Sequence, residues 1–525
     1  MAASIKKNFI FNLVYQILIL IAPIIVTPYV ARVLGVDNIG EYSYMLSIVS
    51  YFSLFAVLGT TLYGQRAIGY AQHNIEERSK TFWELLIFRI VTCLTTLGIY
   101  VIYIFFFCAK SSRLLAIILS VNIVGVIFDV SWFMQGMEEF GKTATASSIF
   151  RILNVVLVFC LVKEQTDLWK YVTITVGSSI AGSLILWMFL PKYLCRVKDI
   201  RPFKNIKSII QLFLPTIATQ IYTVLDKSMI GWFSDGYSEN GYYEQAEKII
   251  KMSVTIVVSL GIVMIPRIAN CYKEKQFDRI EYYLYKSYRY VWLMSIPIIF
   301  GVISIADVFV PVFFGPGYDK CIILMMILSP LTIAMGFGHV TGLQYFVPTE
   351  KQNILTLTYI IGASVNVILN LIFIPFFASI GASVATVISE FCVALSGLIF
   401  VKKKKLYALK PIFISSWKYW IAGILMGGLL YLIKLFMPVT VWTLVVLILI
   451  GIIVYFLMLL ILRDEMIMEI LNKFFNRLKH KTISSDVIGD ATDCNDDNSL
   501  STSVFDDTAI NEITDMENNT DSGST

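Results

Sequence analysis

The chain has 525 residues, of which 57% are hydrophobic and 15% are charged. Ordinary soluble domains have roughly 45–50% apolar and 25% charged residues, so a water-soluble core cannot accommodate this excess. The net charge of +5 does not indicate nucleic-acid binding, because the lysines and arginines lie in short loops between apolar runs.

The apolar runs predict an all-α integral membrane protein with about fourteen transmembrane helices. Each run is long enough to cross roughly 30 Å of hydrocarbon at about 1.5 Å per residue. The runs lie near residues 8–30, 42–63, 83–107, 113–135, 143–162, 168–190, 209–233, 249–269, 288–313, 322–347, 354–376, 380–401, 412–436 and 440–462.

The loops between these runs predict the orientation in the membrane. An even number of spans places both termini on one side, and the bias of lysine and arginine among the loops predicts that this side is cytoplasmic. The basic inner loops are 192–207, 273–286 and the four lysines at 402–405. We interpret these runs as topology signals without a substrate role, and a specific anionic-lipid site is the alternative.

Weak internal similarity predicts two related six-helix lobes, at 1–207 and 208–401, followed by helices 13 and 14 at 402–462. For example, segment 40–44 follows the first span and the similar segment 241–244 follows the seventh.

Two further segments follow the last predicted span. An apolar stripe at helical spacing predicts an interfacial amphipathic helix at 463–481. The acidic segment 482–525 has too few apolar residues to bury, so we expect a disordered cytoplasmic tail.

Three charged residues of the first half lie at one depth in the membrane. Counted from the cytoplasmic end, Arg89, Asp129 and Arg151 lie roughly 9–12 Å deep. A charge near the bilayer centre costs at least roughly 2.5–3.5 kcal/mol, so it must be solvated, paired or used. Two interpretations stay open. The three residues line a cationic cavity, or Arg89 extends to the inner interface while Asp129 and Arg151 form a structural pair.

The second half contributes two further lysines as candidates for substrate binding. Asp226 and Lys227 lie late in the seventh span, and adjacent residues on a helix diverge, so each needs a partner elsewhere. Lys251 is the other candidate, and its alternative is a simple i,i+4 pair with Glu247.

A polar pocket for a coupling cation or proton is predicted in the same half. Its candidates are Glu390 in the twelfth span, Asn366 and Asn370 on one face of the eleventh, and Asp226. The alternative is a protonated carboxyl group that is hydrogen-bonded to an amide.

No signature of enzyme chemistry accompanies these spans. The sequence has no P-loop, no large extramembrane domain and no cluster with metal-ligand spacing, so we expect neither an enzyme nor a cofactor or metal. The eight cysteines are scattered without paired spacing.

An ordered set of segments resembles bacterial Wzx-type oligosaccharide flippases of the polysaccharide-synthesis transporter family. The segments are 28–35, 40–43, 63–66, 128–136, 225–231, 241–249, 266–268 and 366–370. No single segment is specific, but the ordered set extends over about residues 8 to 400. The resemblance implies the fold of multidrug and toxic-compound extrusion (MATE) transporters, with two six-helix lobes in a V and two extra C-terminal helices.

The resemblance also implies a function. Such flippases move a polyprenyl-diphosphate-linked oligosaccharide from the inner to the outer leaflet of the bacterial cytoplasmic membrane by alternating access, for O-antigen, capsule or exopolysaccharide assembly. The implied partners are this lipid-linked oligosaccharide, membrane lipids, and the polysaccharide polymerase with its chain-length machinery; nucleic acid is not among them. A diphosphate is anionic, so a cavity containing Arg89, Arg151, Lys227 or Lys251 would neutralise it.

Two alternative functions stay open. A multidrug or cation extrusion antiporter would share the architecture, but its cavity should be acidic, whereas the buried charges here lean basic. A membrane polysaccharide polymerase would need a large outer loop with catalytic residues, and the outer loops here are short.

Overall fold

The computed structural model consists of helices and their connections. It describes the backbone of residues 2–414 and 416–472, and their side chains except those of 2–17, 19, 20, 214–216, 218–222 and 262. The helices are α1 (Ala2–Val57), α2 (Thr60–Tyr70), α3 (Ile75–Phe106), α4 (Arg113–Phe128), α5 (Ser131–Gly136), α6 (Phe140–Leu161), α7 (Leu168–Trp187), α8 (Ile206–Phe233), α9 (Ser238–Val258), α10 (Leu260–Lys273), α11 (Phe277–Phe313), α12 (Lys320–Leu328), α13 (Leu331–His339), α14 (Gln352–Lys404), α15 (Lys410–Ile414), α16 (Trp417–Lys434) and α17 (Val441–Ile461). A π-helical turn at Val340–Phe346 follows α13.

Two of these helices are interrupted by a single residue. In α1, Gly35 has a φ of 78°, a left-handed conformation that glycine adopts without steric cost. In α14, Ala378 has a φ of 47°. Each interruption lies between two predicted spans, so a sharp backbone break replaces the polar loop that usually separates consecutive spans.

The described helices include ten that are long and apolar enough to cross a membrane, or eleven if the bent pair in 238–273 forms one span. Two of the ten, Ile21–Tyr70 and Gln352–Lys404, contain 50 and 53 residues. At about 1.5 Å per residue they are more than twice as long as a bilayer is thick. The predicted all-α membrane fold is confirmed, and the count of fourteen spans is compatible with these helices but stays a prediction.

The two sequence-related halves meet through α1, α8 and α9. Gly40 in α1 and Gly241 in α9 permit a close approach, because a Cβ at Gly40 would overlap the carbonyl oxygen of Tyr237 and one at Gly241 that of Val36. Small residues at such contacts allow helix backbones to pack closely in membranes. This packing brings the charged face of α9 alongside α1.

The last two helices are held to α11 by polar contacts. Ser304 of α11 donates a hydrogen bond to the carbonyl oxygen of Gly427 in α16 at 2.9 Å. Tyr455 of α17 donates to the carbonyl oxygen of Leu293 at 3.1 Å. The α16–α17 hairpin is therefore fixed on the second half at more than one depth.

The chain divides into a compact unit that ends at Asp464 and a second unit from Glu465 onwards. In the second unit, residues 465–472 are helical, within the predicted interfacial helix. The rest of that helix and the predicted acidic tail at 482–525 lie outside the described residues. The predicted lobe boundaries at residues 207 and 401 stay predictions.

Candidate functional site

A polar cavity of about 680 Å³ lies among α1, α4, α5, α6, α7 and α9. Its charged groups are Arg151, Lys248 and Asp129, so it has one more positive than negative charge. The uncharged polar lining comprises Asn122, Ser131, Gln135, Thr143, Ser147, Asn154, Thr175, Ser178, Ser179 and Ser183.

Arg151 belongs to a polar stripe on α6. Thr143, Ser147, Arg151 and Asn154 recur at intervals of three or four residues, which places them on one helix face. No described residue forms a hydrogen bond or an ion pair with the Arg151 guanidinium. Because a charge inside the membrane is costly without a partner, this guanidinium is available for a ligand.

Two lysines near the cavity are neutralised by glutamates of α9. The Lys227 ammonium lies 2.5 Å from the Glu244 carboxylate and 3.0 Å from that of Glu247. Lys251 pairs with Glu247 at 2.6 Å. Ser43 of α1 donates a further hydrogen bond to Glu244 at 2.8 Å. Together these groups form a charge-balanced network between the two halves, which we call the α9 network (Lys227, Glu244, Glu247 and Lys251).

Lys248 lies on the same helix but has no part in these ion pairs. It lines the cavity, and within the described part of the chain its ammonium group has no ion pair or hydrogen bond. The two glutamates that precede it in the helix, Glu244 and Glu247, are already paired with Lys227 and Lys251. Lys248 therefore provides the cavity with a second available cation.

The uncharged wall of the cavity is also without protein partners. The side-chain amides of Asn122, Gln135 and Asn154 form no hydrogen bond with a described residue. The Thr143 hydroxyl is buried and likewise unpaired. The three amides are half-buried and face the cavity, so they can form hydrogen bonds with water or with a ligand that carries hydroxyl or amide groups.

A second polar cluster in the membrane surrounds the buried carboxylate of Asp226 in α8. Its Oδ1 accepts hydrogen bonds from Asn366 at 3.1 Å and Asn370 at 2.5 Å, both on the first part of α14. Its Oδ2 accepts from Tyr243 at 2.7 Å and from Thr386, beyond the α14 interruption, at 2.6 Å. The interruption at Ala378 thus lets one helix contact the same carboxylate from two sides.

This Asp226 cluster (Asp226, Tyr243, Asn366, Asn370 and Thr386) leaves one acceptor oxygen without a donor. The buried Oδ1 of Asn370 has no hydrogen-bond partner. Carboxylate, amide and hydroxyl oxygens are ligands of hard cations. No group of three His, Cys, Asp or Glu side chains gathers as a metal site among the described residues. The donor atoms of the cluster are therefore all oxygen and amide groups, the type that hard cations prefer.

Comparison with known proteins identifies the family. The family model described as polysaccharide biosynthesis protein matches residues 5–271, just over half of the chain. The chain belongs to this family. Among curated relatives, a candidate O-antigen transporter of Shigella dysenteriae is 23% identical over 405 residues, which cover 76% of this chain and 100% of the relative.

Solved structures of similar fold place this polysaccharide biosynthesis family member among flippase-like and MATE-like folds. The lipid II flippase MurJ in an inward closed conformation matches with a TM-score of 0.67 at 19% identity, over 87% of this chain and 99% of that one. An inward-facing MATE multidrug resistance transporter matches with a TM-score of 0.57 at 13% identity, over 73% and 94%. The predicted MATE-like fold class is confirmed.

Arg89 does not line the cavity, contrary to expectation. It is buried and donates hydrogen bonds to the hydroxyls of Thr60 at 2.7 Å and Thr61 at 2.8 Å. It also donates to the backbone carbonyl of Asp129 at 2.7 Å, and its guanidinium lies over the Trp132 ring. Arg89 thus neither extends to the interface nor faces a ligand: it satisfies backbone carbonyls at the break between α4 and α5.

The alternative pair between Asp129 and Arg151 does not form either. One Asp129 oxygen accepts a hydrogen bond at 3.0 Å from the backbone nitrogen of Ser131, the first residue of α5. Both side chains line the cavity, but they are not within 4.0 Å of each other in the described structure. The sequence places them at one depth, but helix rotation decides whether their charged ends meet.

Of the four side chains predicted for the coupling pocket, Asn366, Asn370 and Asp226 lie together, without a hydrogen bond from either amide to Glu390. Both amides donate to Asp226, and Glu390 is not among their hydrogen-bond partners. Glu390 lies one helical turn beyond Thr386, and it is Thr386 that donates a hydrogen bond to the Asp226 carboxylate.

Sequence reasoning missed Lys248, Tyr243 and Thr386. For Lys248 the charge count was a usable signal. The neighbouring helices α8 and α9 bring three lysines (227, 248 and 251) to only two glutamates (244 and 247), so one lysine is expected to have no ion-pair partner of its own. Tyr243 and Thr386 gave no such signal, since one hydroxyl among many in the spans does not indicate its partner.

Proposed function

We propose that this protein moves a polyprenyl-diphosphate-linked oligosaccharide from the inner to the outer leaflet of the bacterial cytoplasmic membrane by alternating access. The observation that carries the proposal is the pair of cations, Arg151 and Lys248, in a polar cavity within the membrane. Family membership and the fold shared with a lipid II flippase support it. The product would serve O-antigen, capsule or exopolysaccharide assembly.

The two cations have complementary roles toward a diphosphate. The planar guanidinium of Arg151 binds two phosphate oxygens at once, whereas Lys248 acts as a compact point charge. They lie on α6 and α9, so a diphosphate held by both would connect helices from the two sequence halves. Binding would therefore depend on how these helices are placed relative to each other, as alternating access requires.

The uncharged wall is suited to the sugars. Asn122, Gln135 and Asn154 offer amide donors and acceptors, and several serines of α7 offer hydroxyls. Sugar hydroxyl groups both donate and accept hydrogen bonds, so they satisfy such a surface without a net charge. A hydrophobic cation, the substrate of an extrusion antiporter, would leave these groups unpaired beside two positive charges.

We propose the Asp226 cluster as the coupling site for a monovalent cation or proton. Asn366 and Asn370 were expected in such a site, and the orphan Oδ1 of Asn370 supports it. The α9 network adjoins the cluster, because Lys227 follows Asp226 in α8 and Glu244 follows Tyr243 in α9. Binding at Asp226 would thereby act on the helix that presents Lys248.

The membrane topology belongs to the same proposal. Both termini would be cytoplasmic, with the lysine run at 402–405 on the inner side. The lipid-linked product would then reach the outer leaflet, where a polysaccharide polymerase and its chain-length machinery would receive it.

Reconstitution tests the proposed function. The full-length protein is placed in vesicles that contain a fluorescent polyprenyl-diphosphate oligosaccharide, and the fraction accessible to an impermeant sugar oxidant is followed with time. We expect transfer to be faster than in protein-free vesicles, and faster for the diphosphate than for a neutral polyprenyl glycoside. Equal rates with and without protein would refute the proposal, and extrusion of a dye cation instead would establish the antiporter.

A further inference from the structure

A basic groove lies apart from the cavity, near the N-terminal end of α11 and the C-terminal end of α14. It has a volume of about 730 Å³ and includes Lys402, Lys405 and Lys410, with Glu281 as its acid. The three lysines are exposed, and in the described chain their ammonium groups have no ion pair or hydrogen bond. The groove therefore has two more positive than negative charges.

The shape of the groove is fixed by the fold. A Glu281 oxygen accepts a hydrogen bond from the backbone nitrogen of Ala408 at 3.0 Å, which ties the loop after α14 to α11. The Tyr407 hydroxyl lies 2.7 Å from that of Tyr288 on the buried side. Glu281 is engaged in the hydrogen bond with Ala408 and does not pair with the lysines. The three ammonium groups are therefore available to another anion.

The apolar rim places the groove at the level of lipid headgroups. Phe413 lines it, and Ile414 and Trp417 follow on the exposed surface where α16 begins. Aromatic residues of this kind concentrate at membrane interfaces, and basic pockets beside membrane helices bind anionic headgroups. α16 and α17 present exposed apolar side chains that would contact the acyl chains of a lipid held there.

We infer that this basic groove binds the phosphate headgroup of an anionic phospholipid, such as phosphatidylglycerol. The site is separate from the cavity that contains Arg151 and Lys248 and does not depend on the transport proposal. Its lysines thus bind a resident lipid in addition to orienting the chain in the membrane.

Lipid binding to the purified full-length protein tests the inference. Native mass spectrometry would be used to titrate phosphatidylglycerol and phosphatidylcholine onto wild type and the triple variant Lys402→Gln, Lys405→Gln, Lys410→Gln. We expect wild type to prefer phosphatidylglycerol and the variant to lose affinity for it by a factor on the order of one hundred, from about fivefold per lysine. Absence of a preference in wild type would overturn the inference.

A matched control separates the groove from general surface charge. The triple variant Lys198→Gln, Lys204→Gln, Lys207→Gln removes three equally exposed lysines from another basic loop. It should bind phosphatidylglycerol as wild type does. An equal loss of affinity for phosphatidylglycerol in both triple variants would show that the lipid responds to a diffuse surface potential. That result would overturn the inference that the groove is a specific site. Competition by soluble glycerol phosphate at concentrations similar to those of the lipid would instead assign a free phosphate site.

A crosslinking measurement on the wild-type protein tests the inference even if the groove variant does not fold. Phosphatidylglycerol with a photoactivatable headgroup is crosslinked to the full-length protein, and the labelled peptides are identified. We expect label in the segment 402–413. Label confined to other segments would overturn the inference.

Discussion

The cavity and the Asp226 cluster are both polar sites inside the membrane, but they satisfy their charges in opposite ways. Asp226 receives four hydrogen bonds from surrounding side chains. The side chains of Arg151 and Lys248 donate none to the described residues. A charge that the protein itself solvates can remain in the folded state without a ligand, whereas a charge left open in a cavity indicates an anion from outside.

The same contrast separates residues that look alike in sequence. Arg89 and Arg151 were predicted at one depth, but the first is fully hydrogen-bonded and the second has no protein partner. Lys248 and Lys251 are three residues apart, but of the two only Lys251 forms a direct ion pair with a glutamate. Substitutions within each pair therefore test whether an open charge binds substrate and a satisfied charge maintains structure.

The largest effect on transport is expected at Arg151. Arg151→Ala should abolish surface polysaccharide in a flippase-deficient host while the protein is still made. Arg151→Lys keeps the charge but loses bidentate binding of phosphate, so it should lower transport on the order of tenfold or more. Membrane levels measured by immunoblot are the control. A well-expressed and fully active Arg151→Ala protein would contradict the assignment.

Arg89 should behave in the opposite way. Arg89→Ala leaves the carbonyl of Asp129 and the hydroxyls of Thr60 and Thr61 without their donor. Hydrogen bonds to a charged group contribute about 1.5–3 kcal/mol each, so we expect a sharp fall in folded protein. Thermal unfolding in detergent measures it. If Arg89→Ala unfolded at the wild-type temperature but lost transport, Arg89 would belong with the substrate-binding residues.

These two arginines show how far sequence alone predicts the site. Composition and apolar runs predict the membrane fold, because burying twenty apolar residues in lipid needs no knowledge of neighbouring helices. Depth follows from counting along a helix, which placed Asp129 at the level of both arginines. The contacts do not follow, since they depend on helix rotation and on the break at Asp129 between α4 and α5.

The Asp226 cluster gives the same lesson at longer range. The polar face formed by Asn366 and Asn370 is visible in the sequence as an i,i+4 pair, and the structure indeed places both amides in one cluster. Two acids, Glu390 and Asp226, were candidates for this pocket, and the acid that accepts from the amides is Asp226, 140 positions before Asn366. Pairings across helices so distant in the chain are set by tertiary packing, which no local pattern encodes.

At the Asp226 cluster we expect an intermediate effect that concerns energy coupling. Asp226→Asn removes the negative charge and replaces one acceptor oxygen by an NH2 group that faces two of the four donors, so the cluster loses its affinity for a cation. Flipping in vesicles should persist at a reduced rate but no longer respond to an imposed sodium or proton gradient. Glu390→Gln is the control and should keep the gradient response. A gradient response lost only in Glu390→Gln would return the coupling role to Glu390.

The smallest and most discriminating effect is expected for the two lysines of α9. Lys248→Gln removes an open cation from the cavity and should raise the substrate concentration for half-maximal flipping several-fold, because one charge-assisted contact with phosphate is lost. Lys251→Gln removes an i,i+4 pair with the buried Glu247, but Glu247 keeps its pair with Lys227, so its charge is still neutralised. Both variants change the net charge equally and lie on one helix, so a general loss of positive potential would affect them alike. Only binding of the substrate anion at Lys248 predicts that Lys248→Gln weakens substrate binding while Lys251→Gln leaves it unchanged. If the flipping rate depended on substrate concentration in the same way in both variants, Lys248 would not belong to the site.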